Sequence, residues 1–159
     1  MIRIPAGIRL KCVTSSEGRN DMGRNFLFKL PNEIDKLMLL AAEIRQLPEY
    51  LQLDGKSRYT LDLALEEMAG NIIRYGYDVP GERIIEIGIG FDASEVTLTL
   101  RDDGKPFNPM TADPPPTGDV EERDIGGVGV YLVRSMVRSM EYRREEGRNV
   151  LTLRIGRGE

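Results

Sequence analysis

Two polar side chains on one predicted helix are the first candidates for chemistry in this sequence. Glu67 and Asn71 are four residues apart, so on an α-helix their side chains project from the same face. An amide oxygen and a carboxylate placed together could ligate Mg²⁺ and activate a hydroxyl group or a water molecule. An ordinary polar helix face has the same spacing, so the pair alone leaves both interpretations open.

Two glycine-containing motifs follow along the chain. Asp102 ends a predicted strand and is followed by Asp103 and Gly104. A carboxylate held there could accept a hydrogen bond from a purine amino group, although Asp-Gly is also a common turn signal. Residues 126–129 read Gly-Gly-Val-Gly ahead of an apolar helix, where exposed backbone N–H groups could bind a phosphate. A plain turn at the start of a helix would look the same.

The elements that must position these motifs are predicted from hydrophobic periodicity. Apolar residues at helical spacing predict three helices. The first begins at the N-cap Asn32 and runs to Leu47, where Pro48 ends it. The second covers about 57–75, and the third runs from Gly129 to about Met140. Alternating apolar residues predict a strand over 26–30, a hairpin of 85–91 and 96–100, and a closing hairpin of 142–144 and 150–155. This order predicts an α+β fold, a two-layer α/β sandwich with helices on one face of a mixed, mainly antiparallel sheet.

Two segments have weaker patterns. Residues 2–13 could hold a strand or two, and residues 14–25 resemble a polar loop. We therefore expect 1–25 to form an N-terminal extension that could be flexible, followed by a domain over 26–159. Residues 106–125 include three consecutive prolines and many charges. A long loop of this kind in a compact domain is often a lid or a binding element.

The composition excludes several classes of function. A formal charge of −4 and a pI near 5.1 argue against direct nucleic-acid binding. There is no apolar run of about 20 residues and no recognisable signal peptide, so we expect no membrane association. Cys12 is the single cysteine, which is consistent with a reducing cytoplasm. The absence of histidine excludes histidine triads, histidine-bound zinc and a phosphohistidine relay within this chain.

Together the three motifs resemble the nucleotide site of the GHKL (Bergerat-type) superfamily, which includes gyrase, the heat-shock chaperone, histidine kinases and mismatch-repair ATPases. The matches to its N box and its two glycine boxes are Glu67-x-x-x-Asn71, Asp102-x-Gly104-x-Pro106-Phe107 and Gly127-x-Gly129. The chain is more closely similar to the bacterial anti-sigma-factor serine/threonine kinases of the sporulation and general-stress type. Their helix continues His-Gly/Ala-Tyr, whereas this chain has Tyr75-Gly76-Tyr77, so Tyr75 departs from the family pattern.

This resemblance implies the Bergerat ATP-binding fold and ATP and Mg²⁺ as cofactors. In such a site Asn71 would hold Mg²⁺, Glu67 would be the catalytic base, and Asp102 would bind the adenine amino group with support from Thr152. The resemblance also assigns nucleotide binding, pocket shape or the lid hinge to Gly104, Pro106, Arg123, Gly127 and Gly129.

The function implied is an ATP-dependent protein serine/threonine kinase that acts as an anti-sigma factor in a partner-switching system. Its substrate would be a STAS-type anti-anti-sigma protein, its other partner a sigma factor, and its assembly a cytoplasmic homodimer. One alternative is an ATP-binding module that sequesters a protein partner without phosphoryl transfer. Another is the catalytic domain of a histidine kinase, against which the absent phosphoacceptor histidine argues.

Overall fold

The computed structural model describes residues 6–14, 23–111 and 125–158, and these ranges form one sheet covered by helices. The strands are β1 (Arg9–Thr14), β2 (Arg24–Pro31), β3 (Ile84–Phe91), β4 (Glu95–Asp102), β5 (Ser139–Glu145) and β6 (Arg148–Gly156). The helices are α1 (Ile34–Ile44), α2 (Pro48–Leu51), α3 (Gly55–Tyr75) and α4 (Ile125–Met136), with a 3₁₀ turn at Pro109–Thr111.

The sheet has the strand order β1-β2-β3-β4-β6-β5, and each neighbouring pair is antiparallel. Side chains alternate between its two faces, as the period of a strand requires. On β4, Val96, Leu98 and Leu100 are fully buried, whereas Thr97 and Thr99 are half-exposed on the other face. The predicted fold class is therefore confirmed, with helices packed on the apolar face.

The core lies between this apolar face and the helices. Helix α3 contributes Leu61, Leu65 and Met68, which recur every three or four residues and are almost completely buried. Each such side chain stabilises the fold by roughly 1.5–3 kcal/mol through apolar burial. This buried stripe fixes the rotation of α3 about its axis, and with it the direction of the polar side chains on the helix. No helix in the described ranges is both long and apolar enough to cross a bilayer.

The predicted bounds of the first helix are wrong at both ends. Helix α1 follows Glu33 and ends at Ile44. The side chain of Asn32 does not cap it, because its amide donates to the carbonyl of Gly81 and accepts from the N–H of Arg83, tying this segment to the approach of β3. Proline does not end the helix but opens the short helix α2, where a missing N–H costs nothing.

The helix after the second glycine motif was also placed too late. Helix α4 begins at Ile125 and ends at Met136, not at about Met140. The backbone N–H of Arg138 donates to the carbonyl of Arg154, and Ser139 is already paired within the sheet. Strand pairing therefore takes over residues whose own pattern is compatible with a helix.

The N-terminal segment joins the sheet. Strand β1 pairs with β2 along its whole length, from Arg9 opposite Lys29 to Thr14 opposite Arg24. The predicted loop over 14–25 is therefore wrong at both of its ends, while 15–22 lies outside the described residues. The division of the chain at residue 25 stays a prediction.

Candidate active site

The polar face of α3 forms one side of the candidate site. Asp54 caps the helix by accepting a hydrogen bond from the N–H of Ser57. Glu67 and Asn71 lie further along, both half-buried, next to the stripe that packs into the core. The sequence prediction that these two side chains share a helix face agrees with the helix observed.

The acceptor atoms of these two residues are not used elsewhere in the described part of the protein. Within that part, the side chains of Glu67 and Asn71 make no hydrogen bond and no ion pair. The adjacent Glu66 is different, since its carboxylate is 2.9 Å from the guanidinium of Arg45. The carboxylate of Glu67 is thus available as a proton acceptor, whereas the carboxylate of Glu66 already has a cationic partner.

Arg74 belongs to the same face and was missed in the sequence. It follows Glu67 by seven residues and Asn71 by three, a spacing that keeps all three side chains on one side of α3. Its guanidinium folds back over Gly70, with Nη1 2.9 Å from the position that a Cβ on Gly70 would take. The spacing alone could have revealed this cation, which lies one turn from Asn71.

Asp102 forms the second side of the site, at the end of β4. It is only 4% exposed. Its Oδ1 accepts hydrogen bonds from the N–H of Gly104 at 2.9 Å and from the amide of Asn149 at 3.0 Å. Burial raises the pKa of Asp102 above the usual carboxyl value, although these two hydrogen bonds and the charge of Arg144 act in the opposite direction.

Within the described residues, both hydrogen bonds to Asp102 end on Oδ1 and none on Oδ2. The second oxygen therefore keeps its acceptor capacity for a ligand. This is the arrangement that recognition of a purine amino group needs, because a carboxylate accepts and does not donate.

Asn149 is the residue that holds Asp102, and sequence reasoning did not find it. Its Nδ2 donates to Asp102 and, at 2.9 Å, to the carbonyl of Lys105. Its Oδ1 accepts from the hydroxyl of Tyr142 at 2.5 Å and from the guanidinium of Arg144 at 3.0 Å. All hydrogen-bonding positions of the amide are used, so its orientation is fixed.

The prediction that Thr152 supports Asp102 is wrong. Thr152 is opposite Thr99 in the sheet, whereas the residue opposite Asp102 is Asn149. Leu151 and Leu153 on either side of Thr152 are buried in the core. Thr152 therefore points to the other face of the sheet, away from Asp102.

Gly104 connects the two sides of the site. A Cβ on Gly104 would lie 2.5 Å from the carbonyl oxygen of Gly76 and 2.8 Å from Oδ1 of Asp102. The N–H of Lys105 donates to the same Gly76 carbonyl at 2.9 Å. The loop after β4 is thus held against the C-terminal end of α3. This close backbone approach leaves no room for a side chain at position 104. Pro106 follows in this loop and is exposed.

Tyr77 lies close to this junction. Its hydroxyl is buried and has no hydrogen-bond partner among the described residues, and the guanidinium of Arg83 lies 5.8 Å from the centre of its ring. Burial, followed by the negative charges of Asp102 and Asp103, raises the pKa of Tyr77. The phenol therefore stays protonated at physiological pH.

The second glycine motif is helical and does not form a loop ahead of the helix. Gly127 and Gly129 both lie in the N-terminal part of α4. A Cβ on Gly129 would overlap the carboxylate of Glu67, so α4 lies directly against the candidate base. Arg123, predicted to reach a phosphate, lies outside the described residues.

The fold and the site together define a class of protein. The family model of the histidine kinase-like ATPase domain matches residues 30–155, which is most of the chain, and the chain belongs to this family. The matched segment includes Glu67, Asn71 and Asp102 as well as both glycine motifs. The resemblance seen in the sequence is confirmed, and the family implies that the domain binds ATP.

One similar protein is the serine/threonine-protein kinase BtrW of Bordetella bronchiseptica (strain ATCC BAA-588 / NCTC 13252 / RB50). It is 30% identical over 100 residues, which cover 62% of this chain and 70% of BtrW. Similarity to a protein with this name, together with the family, supports an ATP-binding, kinase-like role.

Proposed function

We propose that this protein is an ATP-dependent protein serine/threonine kinase. The observation that carries the proposal is the carboxylate of Glu67, which has no partner in the described structure and shares a helix face with Asn71. A module that only binds a nucleotide needs the amide and the adenine acceptor but not a free base. Phosphoryl transfer to a hydroxyl group does need an acceptor for the proton.

The residues on α3 fit the phosphate end of ATP. Mg²⁺ prefers oxygen ligands and usually binds one or two protein groups together with phosphates, and the amide oxygen of Asn71 is of the right type. Bound Mg-ATP supplies the transferred phosphoryl group and part of its charge neutralisation. Arg74 would add positive charge beside the phosphates, and Glu67 would accept the proton of the substrate hydroxyl. A phosphate contact from Arg123 stays a prediction.

The residues after β4 fit the adenine end. The free Oδ2 of Asp102 would accept a hydrogen bond from the adenine amino group, while Asn149 and the N–H of Gly104 hold Oδ1. Gly104 keeps the backbone of this loop against the end of α3. Both ends of the nucleotide would thus be bound by one connected frame, formed by α3 and the loop after β4. Such a frame can hold the reacting groups in position, which is the main requirement of this kind of catalysis.

We further propose that the kinase is an anti-sigma factor in a cytoplasmic partner-switching system and works as a homodimer. The support is the similarity of the segment from Glu67 to Tyr77 to the anti-sigma kinases, together with the relative named as a serine/threonine kinase. The substrate would be a serine or threonine on a STAS-type anti-anti-sigma protein, and the sequestered partner a sigma factor.

The test combines nucleotide binding with phosphoryl transfer. Calorimetric titration with ATP, with and without Mg²⁺, is expected to show magnesium-dependent binding that Asn71→Ala and Asp102→Asn both weaken. With radiolabelled ATP and a STAS-type acceptor, Glu67→Gln should bind ATP as wild type does but lose transfer by about 10²–10⁴-fold, the usual contribution of a general base.

Glu66→Gln is the matched control, because Glu66 is the neighbouring carboxylate and is paired with Arg45. It should transfer phosphate at the wild-type rate. Wild-type transfer by Glu67→Gln would refute the base. Tight Mg-ATP binding without transfer to any STAS-type acceptor would favour the sequestering module.

A further inference from the structure

Helices α3 and α4 touch at a point where one of them has no side chain. A Cβ added to Gly129 would overlap the carboxylate of Glu67 and would lie 2.9 Å from its Cγ. Two glycines of α3 are not constrained in this way. At Gly55 nothing lies within 4 Å of an added Cβ, and at Gly70 the nearest group is the flexible end of Arg74.

Backbone conformation does not explain the glycine at 129. The described glycines with positive φ are Gly7, Gly81, Gly147 and Gly158, so Gly129 is in a conformation that other residues adopt. Glycine is also unfavourable inside a helix relative to alanine. Space is one reason for glycine at this position, and the group that uses the space is the carboxylate of Glu67.

We propose that Gly129 is a positioning residue for the base, because the missing side chain lets the carboxylate of Glu67 lie against the backbone of α4. Its catalytic consequence rests on the kinase function proposed above. The role differs from the phosphate binding or hinge motion that the glycine motif predicts. It requires that a side chain at 129 displace the carboxylate and leave nucleotide binding intact.

The contact itself is tested by protein stability, which does not depend on any activity. Gly129→Ala is expected to lower the urea midpoint of the wild type, because the added methyl group displaces Glu67. In a Glu67→Ala background the same change should raise the midpoint, because only the helix preference of alanine remains. Gly55→Ala, a matched glycine-to-alanine change, should shift the midpoint equally in both backgrounds. Equal shifts for Gly129→Ala in the two backgrounds would overturn the proposal.

The catalytic role is tested by separating binding from transfer. Gly129→Ala should keep its dissociation constant for Mg-ATP within about threefold and reduce the transfer rate by 10-fold or more. Glu67→Ala removes the carboxylate that the methyl group would displace, so adding Gly129→Ala to it should cause little further loss of the residual transfer rate. A large loss of ATP affinity in Gly129→Ala would instead assign Gly129 to phosphate binding and refute the proposal.

The two proposals can fail separately. If the wild type transfers no phosphate while the stability shifts have opposite signs, the kinase function fails and the contact between Glu67 and Gly129 stands. If the wild type is an active kinase and Gly129→Ala transfers at its rate, the kinase function stands and the role of Gly129 is refuted.

Discussion

Asn149→Ala is the sharpest test of how the adenine end of the site is built. The substitution removes an amide that is only 6% exposed and that makes four hydrogen bonds. It leaves Oδ1 of Asp102 with the N–H of Gly104 as its one remaining donor among the described residues. The orientation of the carboxylate would then depend on this one hydrogen bond.

The expected loss of stability follows from these contacts. The bond from Asn149 to the Asp102 carboxylate involves a charged group and contributes about 1.5–3 kcal/mol, and the bond to the carbonyl of Lys105 about 1 kcal/mol. Tyr142 and Arg144 are less buried and can turn to water. We expect a loss of about 3 kcal/mol, which corresponds to a fall in Tm of roughly 6–12 °C for a domain of this size.

Nucleotide affinity should fall as well, by about tenfold or more, since 1.4 kcal/mol of lost orientation is a factor of ten. Thermal unfolding followed by circular dichroism and calorimetric titration with Mg-ATP measure the two effects. Thr152→Ala is the matched control on the same strand and should leave affinity unchanged. The reasoning is refuted if Asn149→Ala binds ATP as wild type does, or if Thr152→Ala weakens binding equally.

Three further predictions concern the same frame. Gly104→Ala should lower the urea midpoint and weaken ATP binding, because its Cβ would lie 2.5 Å from the carbonyl oxygen of Gly76. The control Gly55→Ala should do neither, and equal effects of the two substitutions would contradict the prediction. Because burial raises the pKa of Asp102 in the folded state, its contribution to stability is full below the unfolded carboxyl pKa of about 4 and is lost as pH rises through the folded pKa. The urea midpoint of Asp102→Asn should therefore rise relative to that of the wild type as the pH increases above about 4. A constant difference between the two midpoints across this pH range would refute the prediction. Arg74→Ala should bind ATP about tenfold more weakly, because the lost phosphate contact contributes about 1.4 kcal/mol, and it should bind adenosine as well as the wild type does. Titration with both ligands measures this. An equal loss of affinity for adenosine would indicate a structural role for Arg74.

The sequence predicts best those elements whose pattern and contacts are local. Helix α3 has a regular apolar stripe and the hairpin of β3 and β4 alternates cleanly, so both were predicted within a few residues. The end of α4 was not, because the pairing of Arg138 with Arg154 depends on a strand further along the chain. The sequence allowed a strand within residues 2–13, where β1 lies, but its pairing with β2 is a tertiary contact that the pattern does not reveal.

The same distinction separates the site residues. Glu67 and Asn71 are linked by one helical turn, so their spacing predicts their proximity. Asn149 and Asp102 are 47 residues apart and meet only through the register of β4 with β6. The predicted Thr152 and the observed Asn149 lie three residues apart on β6. Because an odd separation along a strand places two side chains on opposite faces of the sheet, Thr152 cannot reach Asp102.

The support of Asn149, the residue that holds Asp102, comes from the edge of the sheet. Tyr142 and Arg144, which hold Asn149, lie on β5, the outermost strand next to β6. Edge hairpins open locally at lower free energy than core strands. Brief opening of β5 would remove the two contacts to Oδ1 of Asn149, while its bonds to Asp102 and Lys105 and the core of β2, β3 and β4 remained. Hydrogen exchange on β5 should therefore report how often Asn149 loses this support, and bound nucleotide should slow that exchange.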